Sequence, residues 1–358
     1  MKLPVIEVSG SNYEIGFSHG QQAKKQIDVT VETYKNMFYE FSKIEWERAQ
    51  KIALTFEEDI KAFNPDYIEE IHGIADGSGY KYEEILALNV RSELVFQGSH
   101  ITSDGCTSVV VTGDRGVGGK TFLGQNWDWK VKMLEGIILL KIKKEGKADI
   151  ATLTEAGIVG KIGCNANGVG VCFNALSVDE APSGVPIHLV LREILEQPNL
   201  LEAMSVVTAN KVGCPANVLI ASKYGEALDF EIEVEDFEAL YPIDGIMTHT
   251  NHYVNPRLPR VGHKDTASPK FPDTFIRRGR AEKIIRSVQG EIGMEDIKKV
   301  FCSHQDPSCA ICHHEEHNGP SGGEIGTVAS ILMDLEAGKL YITAGVPCEN
   351  EYVEYSVS

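Results

Sequence analysis

Cys106 follows Gly105 and opens the β-branched run Thr107-Ser108-Val109-Val110-Val111. A cysteine acts as a nucleophile when its thiolate is accessible and a base or positive group stands near it. Here a second chemistry is also open. Gly105 permits backbone geometry that a Cβ would forbid, so the peptide before Cys106 can be held twisted. The thiol could then attack the carbonyl just before it and move the acyl group from nitrogen to sulfur. Hydrolysis of that thioester would free the α-amine of Cys106. Such an amine titrates at about 7.7–8.0, so much of it is available as a base at neutral pH. Nucleophile and base would then be one residue. The competing reading of these residues is a buried thiol at a strand start, since free cysteine is among the most buried residue types.

Three other polar sets accompany it. Gln125-Asn126-Trp127-Asp128 is expected to end a strand that a hairpin returns beside the one led by Cys106. Asp128 could hold an ammonium group or orient a substrate there; an ordinary turn with an Asx contact is the alternative. In His249-Thr250-Asn251-His252, a strand would put His249 and Asn251 on one face. The Asn251 amide could donate to a developing oxyanion. Cys, His, Asn is also the chain order of papain-like proteases, but this His and Asn lie too close along one strand to stack end to end. The fourth set is Cys302, His304, Cys309, Cys312, His313, His314 and His317. Its Cys309-x-x-Cys312 spacing resembles zinc-ligand spacing, although the second half of a site would have to come from neighbouring histidines. This cluster supports an alternative in which the chain is a zinc-dependent hydrolase or a zinc-stabilised protein. A polar loop rimming a pocket is the other reading.

The 358 residues suffice for one large domain, and a net charge of −18 argues against non-specific binding to nucleic acid or anionic membrane. No apolar run is long enough to span a bilayer, and the first residues lack the apolar stretch of a secretory signal. The eight cysteines therefore read as reduced thiols, and the expected location is the cytoplasm. Neither a GxGxxG nor a Walker loop occurs.

Helical spacing dominates the first hundred residues. A capping box at Ser11–Glu14 starts a long helix to about Phe41; others are expected over Trp46–Lys61, from Asn64-Pro65 to a stop at Gly77, and over Tyr82–Phe96. After Cys106 short β-branched segments take over, with a hairpin signal at Asn165-Ala166-Asn167-Gly168. Two helices interrupt them (Pro186–Leu195, Leu200–Thr208), and two more (Asp273–Val288, Glu295–Phe301) precede a last strand pair. Residues 256–272 read as a surface excursion. Blocks of helices and blocks of antiparallel strands predict an α+β layered domain rather than a doubly wound parallel sheet.

The ordered stretches Asp104-Gly105-Cys106-Thr107, Gly124-Gln125-Asn126-Trp127-Asp128, Thr154–Lys161, Phe173-Asn174-Ala175-Leu176, Gly184-Val185-Pro186 and His249–His252 resemble one known family. Tyr13–Gly20 and Asn89–Glu93 are similar as well. The family is that of acyl-coenzyme A:6-aminopenicillanic acid acyltransferase-like proteins (peptidase C45), within the N-terminal nucleophile hydrolases, and the likeness covers nearly the whole chain. The resemblance implies a four-layer αββα sandwich of two antiparallel sheets. It implies self-cleavage between Gly105 and Cys106 into parts 1–105 and 106–358 that remain a heterodimer within one structural domain. It further implies Cys106 as nucleophile, Asp128 orienting the freed amine or the substrate, Asn251 donating to the oxyanion, and Asn174 as a second donor or positioning group. The substrate class is an amide or an acyl-CoA thioester, with water or an amine as acceptor, and no cofactor. A non-catalytic binding protein keeping the fold is a further alternative. The chain departs from the family pattern near its C-terminus. A Ser-Arg pair gives way to Gly322-Gly323-Glu324-Ile325-Gly326, and a frequent Cys-Arg-His gives way to Cys312-His313-His314. Penicillin itself is therefore not the expected substrate.

Overall fold

Helices fill the first hundred residues and strands most of the rest, as the apolar spacing predicts. The computed structural model describes residues 2–96, 105–233, 236–256, 264–315 and 325–358. The chain opens with strand β1 (Val5–Ser9) and seven helices: α1 (Asn12–Gln22), α2 (Lys24–Ser42), α3 (Trp46–Ala53), α4 (Glu57–Phe63), α5 (Asp66–Ser78), α6 (Tyr82–Asn89) and α7 (Arg91–Phe96). Both halves of the capping box at Ser11 form. The expected long helices are interrupted. Ala23 leaves helical geometry between α1 and α2, and a 3₁₀ turn at Leu54–Phe56 separates α3 from α4.

Gly77 does not stop α5; Gly79 does, in the left-handed conformation with φ 78°. Gly77 serves packing instead. Helices α1 and α5 cross backbone to backbone on Gly16, Gly20, Gly73 and Gly77. A Cβ on Gly16 would stand 1.9 Å from the Glu70 carbonyl oxygen, and one on Gly77 2.1 Å from that of Phe17. Only hydrogen fits between such backbones.

The strands are β2 (Cys106–Val111), β3 (Phe122–Lys130), β4 (Ile137–Lys143), β5 (Ile150–Glu155), β6 (Ile162–Asn165) and β7 (Val169–Ala175). After α8 (Ile187–Glu196) and α9 (Leu200–Thr208) come β8 (Ala216–Ser222), β9 (Ala227–Ile232), β10 (Phe237–Leu240) and β11 (Ile246–His249). Helices α10 (Asp273–Arg286) and α11 (Met294–Phe301) precede β12 (Ile325–Asp334), β13 (Lys339–Ala344) and β14 (Val353–Ser356). They form an eight-stranded sheet, β1-β4-β5-β6-β7-β8-β9-β10, and a six-stranded sheet, β11-β2-β3-β12-β13-β14. Strand β1 runs parallel to β4; the other ladders are antiparallel.

Strands β2 and β3 face β7 across the gap between the sheets. Helices α8 and α9 pack on the larger sheet, and α10 and α11 on the smaller. The expected αββα sandwich is thus present. Alternation along β2 divides its side chains: Cys106 and Val110 enter the core between the sheets, while Val109 and Val111 join Ala281, Ile285 and Phe301 in a second core under the helices. None of the eight cysteines is in a disulfide. No described helix is long and apolar enough to cross a membrane.

The helix crossing yields a test. Gly16→Ala and Gly73→Ala should each lower stability by about 1–3 kcal/mol through overpacking, read from urea unfolding. Gly279→Ala within α10, where an added Cβ meets nothing within 4 Å, should be neutral or gain up to about 1 kcal/mol.

Candidate active site

The β2–β3 ladder fixes the peptide between Gly105 and Cys106. Cys106 pairs with Trp127, and the Asp128 N–H donates to the Gly105 carbonyl at 2.7 Å. On the other side of that bond, the Cys106 N–H donates to Asn251 Oδ1 at 2.9 Å. Arg277, on α10, donates from Nη1 to the Cys106 carbonyl at 2.9 Å and from Nη2 to Asn251 Oδ1 at 3.1 Å. Two donors on one atom settle which end of the Asn251 amide faces Cys106, because an NH₂ could accept neither. The Asn251 Nδ2 donates to the Ala175 carbonyl at 3.1 Å. The Cys106 side chain is buried between the sheets, 2% exposed.

Asn251 lies past the end of β11, so it does not share a strand face with His249. Its N–H donates to Thr274 Oγ1 at 2.9 Å, which turns the chain out of the sheet toward α10. His249 faces Glu231 instead, 2.8 Å from Nε2 to Oε1. Burial pulls the His249 imidazole down, but Asp229 and Glu231 outweigh it and leave the pKa raised.

Asp128 sits inside β3, which runs on to Lys130, rather than at a strand end or turn. Trp127 and Trp129 enter the inter-sheet core, so the intervening Asp128 points to the opposite face. Asn126 shares that face and donates to the carbonyls of Phe301 and Ile311 at 2.9 and 3.0 Å. Thr327 Oγ1 donates to Asp128 Oδ1 at 2.6 Å. The Asp128 carboxylate also explains the glycine at 105: a Cβ there would stand 2.6 Å from its Oδ2 and 3.0 Å from its Cβ. It is space that excludes a side chain at residue 105. Thr327 also lines a cavity of about 320 Å³ with Gly326, Val328, Leu134 and His313, one hydrogen bond away from Asp128.

Asn174, on β7, meets Ser108, two residues beyond Cys106 on the same inward face. Ser108 Oγ donates to Asn174 Oδ1 at 2.9 Å, and Asn217 Nδ2 donates to the same oxygen at 3.3 Å. These bonds leave the Asn174 Nδ2 buried without a hydrogen-bond partner. Gln125 stitches β3 to β7 beside it, donating to the Phe173 carbonyl and accepting the Phe173 N–H at 2.9 Å.

Two features escape the sequence reading. One is Arg277, whose only local signal is its i,i+4 pairing with Asp273 at 2.8 Å. The other is a buried charge cluster behind Trp127. Glu155 pairs with Arg91 at 3.2 Å and Lys161 at 3.4 Å, and accepts the Tyr34 hydroxyl at 2.8 Å. The Lys161 ammonium lies 3.4 Å from the centre of the Trp127 ring, a short cation–π contact. Burial pushes the Glu155 carboxyl up, but Lys161 and Arg91 overcome this and hold it at about 2.

Of the Cys302–His317 set, His304, Cys312 and His314 converge, joined by Cys348, while Cys302 and Cys309 stand outside the group. Asp104, His317, Gly322-Gly323-Glu324 and residues 257–263 of the expected surface excursion lie outside the described residues.

Two stacked sheets lie between helical layers, with a buried cysteine at the head of an inner strand. The family model described as acyl-coenzyme A:6-aminopenicillanic acid acyl-transferase matches residues 115–349. The chain is 30% identical over 347 residues to the 40 kDa form of acyl-coenzyme A:6-aminopenicillanic-acid-acyltransferase of Emericella nidulans, covering 96% of this chain and 92% of that protein. It is 25% identical to the protein dcd1A of Dictyostelium discoideum, over 96% of this chain and 79% of that one. The chain belongs to the acyl-coenzyme A:6-aminopenicillanic acid acyltransferase family. Among solved structures it is similar to a Caenorhabditis elegans N-acylethanolamine-hydrolyzing acid amidase ortholog (16% identity, TM-score 0.45, 64% of this chain and 93% of that one). It is also similar to a penicillin V acylase from Agrobacterium tumefaciens (14% identity, TM-score 0.44, 67% and 83%).

The charge cluster makes a stability prediction. Glu155→Gln strands Lys161 and Arg91 and should cost about 3–5 kcal/mol. Because the folded carboxyl is held at about 2 against an ordinary 4.5, its contribution is complete above about pH 4.5 and is lost as pH falls toward 2. Urea unfolding of wild type and Glu155→Gln should therefore show a gap that is full at neutral pH and narrows below pH 4.5.

Proposed function

We propose that the chain is an amidohydrolase or acyltransferase that activates itself by cutting between Gly105 and Cys106, and then carries acyl groups on Cys106 as a thioester. The observation behind this is the grip on that one peptide. Asp128 N–H holds its carbonyl oxygen at 2.7 Å, and Asn251 Oδ1 holds its nitrogen at 2.9 Å. In the first stage Cys106 Sγ attacks the Gly105 carbonyl carbon. The developing oxyanion stays on the Asp128 N–H, where a fixed donor is worth most. The C–N bond breaks, the nitrogen takes up a proton, and a thioester remains. Water cleaves that thioester, leaving the Gly105 carboxylate and the free amine of Cys106.

In the working enzyme the amine takes the thiol proton as Sγ attacks a substrate carbonyl. The leaving amine or thiol is protonated in turn. Water or an acceptor amine then releases the acyl group. Asn251 Oδ1, which accepts from the nitrogen, suits the role of holding the amine. Its Nδ2 is committed to Ala175, so oxyanion donation falls to Asn174, whose Nδ2 has no partner. The name of the Emericella relative speaks for an acyl-CoA thioester as one acyl source. The parts 1–105 and 106–358 would stay together, because β1 is paired into the eight-stranded sheet and Tyr34 is bonded to Glu155 across the cut.

Intact mass under denaturing conditions tests the first stage. Wild type should give two fragments that divide before Cys106, whereas Cys106→Ala stays whole. Gly105→Ala should be cut much more slowly, because its Cβ displaces Asp128. A wild-type chain that remains a single polypeptide while active would overturn the amine as base. In the cut enzyme, Asn174→Ala should lower kcat by about 10²–10³ with the acyl-enzyme still detectable by mass.

A further inference from the structure

We propose that His304, Cys312, His314 and Cys348 form a closed, structural zinc site. Each residue offers one ligand atom, and all four atoms lie within 4.8 Å of one another. A tetrahedron built with ordinary zinc–sulfur and zinc–nitrogen bonds has edges of about 3.4–3.8 Å. The observed edges bracket those values. The two Nε2 atoms of His304 and His314 are 3.0 Å apart. His314 Nε2 stands 3.2 Å from Cys348 Sγ and 4.0 Å from Cys312 Sγ. Two thiolates and two imidazoles in this arrangement select zinc over magnesium or calcium, which take oxygen ligands. The second ring nitrogen of His314 faces the Glu349 carboxylate at 3.7 Å. Such an outer carboxylate orients a ligating histidine.

The four ligands come from three separate segments. His304 follows α11, Cys312 and His314 lie before β12, and Cys348 follows β13. Each segment is short of regular structure, so a shared ion would fix their mutual position. The middle segment is already half anchored. The N–H groups of Ile311 and Cys312 both donate to the Ser303 carbonyl, at 3.1 and 3.2 Å. The His313 N–H donates to Thr327 Oγ1 at 2.9 Å, and the His313 carbonyl accepts the Thr327 N–H at 2.8 Å. Thr327 is the residue that donates to Asp128. The ion would therefore hold the strand end that positions Asp128. With four protein ligands no position is left for water or substrate, so the site serves structure and takes no part in hydrolysis. The inference stands apart from the proposal for Cys106.

Full-length wild type, purified with a histidine-free tag, incubated with zinc chloride under reducing conditions and gel-filtered, is the material for the test. Elemental analysis should find close to one zinc per chain. Cys348→Ser and His304→Ala should lose most of it, while Cys309→Ser and Cys302→Ser keep it. Wild type holding well under half an equivalent would overturn the site, as would full retention in Cys348→Ser or loss in Cys309→Ser. If the ligand variants do not fold, cobalt(II) replacement in wild type decides. Intense tetrahedral visible bands with a sulfur-to-cobalt charge-transfer band support it, and a weak octahedral spectrum refutes it.

Discussion

The peptide joining Gly105 to Cys106 is held at both its carbonyl and its nitrogen, and much of the chain is arranged to make that possible. The carbonyl contact needs β3 in one register, since a slip of one residue would turn Asp128 to the other face. The nitrogen contact needs the chain to leave β11 at His249 so that Asn251 can swing back over the sheet edge. Arg277 then binds both the Cys106 carbonyl and the Asn251 oxygen. A buried guanidinium is costly unless its donors are used. Asp273, Cys106, Thr107 and Asn251 accept from it here. The helical layer outside the smaller sheet thus brings a charge to the head of β2 and locks the Asn251 amide in one orientation.

The space between the sheets is not a purely apolar core. Gln125 bridges β3 to β7, Ser108 and Asn217 fix Asn174, and Glu155 gathers Arg91, Lys161 and Tyr34 behind Trp127. Polar groups are tolerated in such a place where they pair with one another, and pairing is stronger where water is excluded. The Asn174 Nδ2 is one of several buried polar atoms there without a hydrogen-bond partner. A buried amide donor left unpaired costs about 1–3 kcal/mol, a cost that a substrate oxyanion would remove in the role proposed for Asn174.

How much of this was legible in the sequence depends on the range of the interaction. Elements with strong local periodicity or turn chemistry, such as α9 and the hairpin after Asn165, could be read directly. The layered α+β class followed from their order. Interruptions at Ala23 and Val90 left little local trace, because they depend on how neighbouring helices pack. Gly77 read as a stop because glycine ends helices, yet its reason is the backbone of α1, distant in the chain. Cys106 and Asp128 were visible as types and spacing. Arg277 was not, since a charged residue at i,i+4 from an aspartate looks like any solvated helix pair. Cys348 was equally hidden: it stands 34 residues after His314, and only the return of β13 beside β12 brings the two together.

That return also bears on how a zinc site and a cysteine nucleophile can coexist in one chain. They compete for the same role only if the metal has an open coordination position. Four protein ligands would leave no such position, so the proposed ion would not compete with the proposed chemistry at Cys106. The two sites meet through Thr327. Its hydroxyl accepts from His313 and donates to Asp128, and the β12–β3 register shifts between Thr327 and Ala329. A register shift re-aims side chains and weakens the local ladder. An end of strand so loosened, carrying a residue that must hold Asp128 beside Gly105, gains most from an external anchor. A metal tying the 304, 312–314 and 348 segments would supply that anchor beside the register shift.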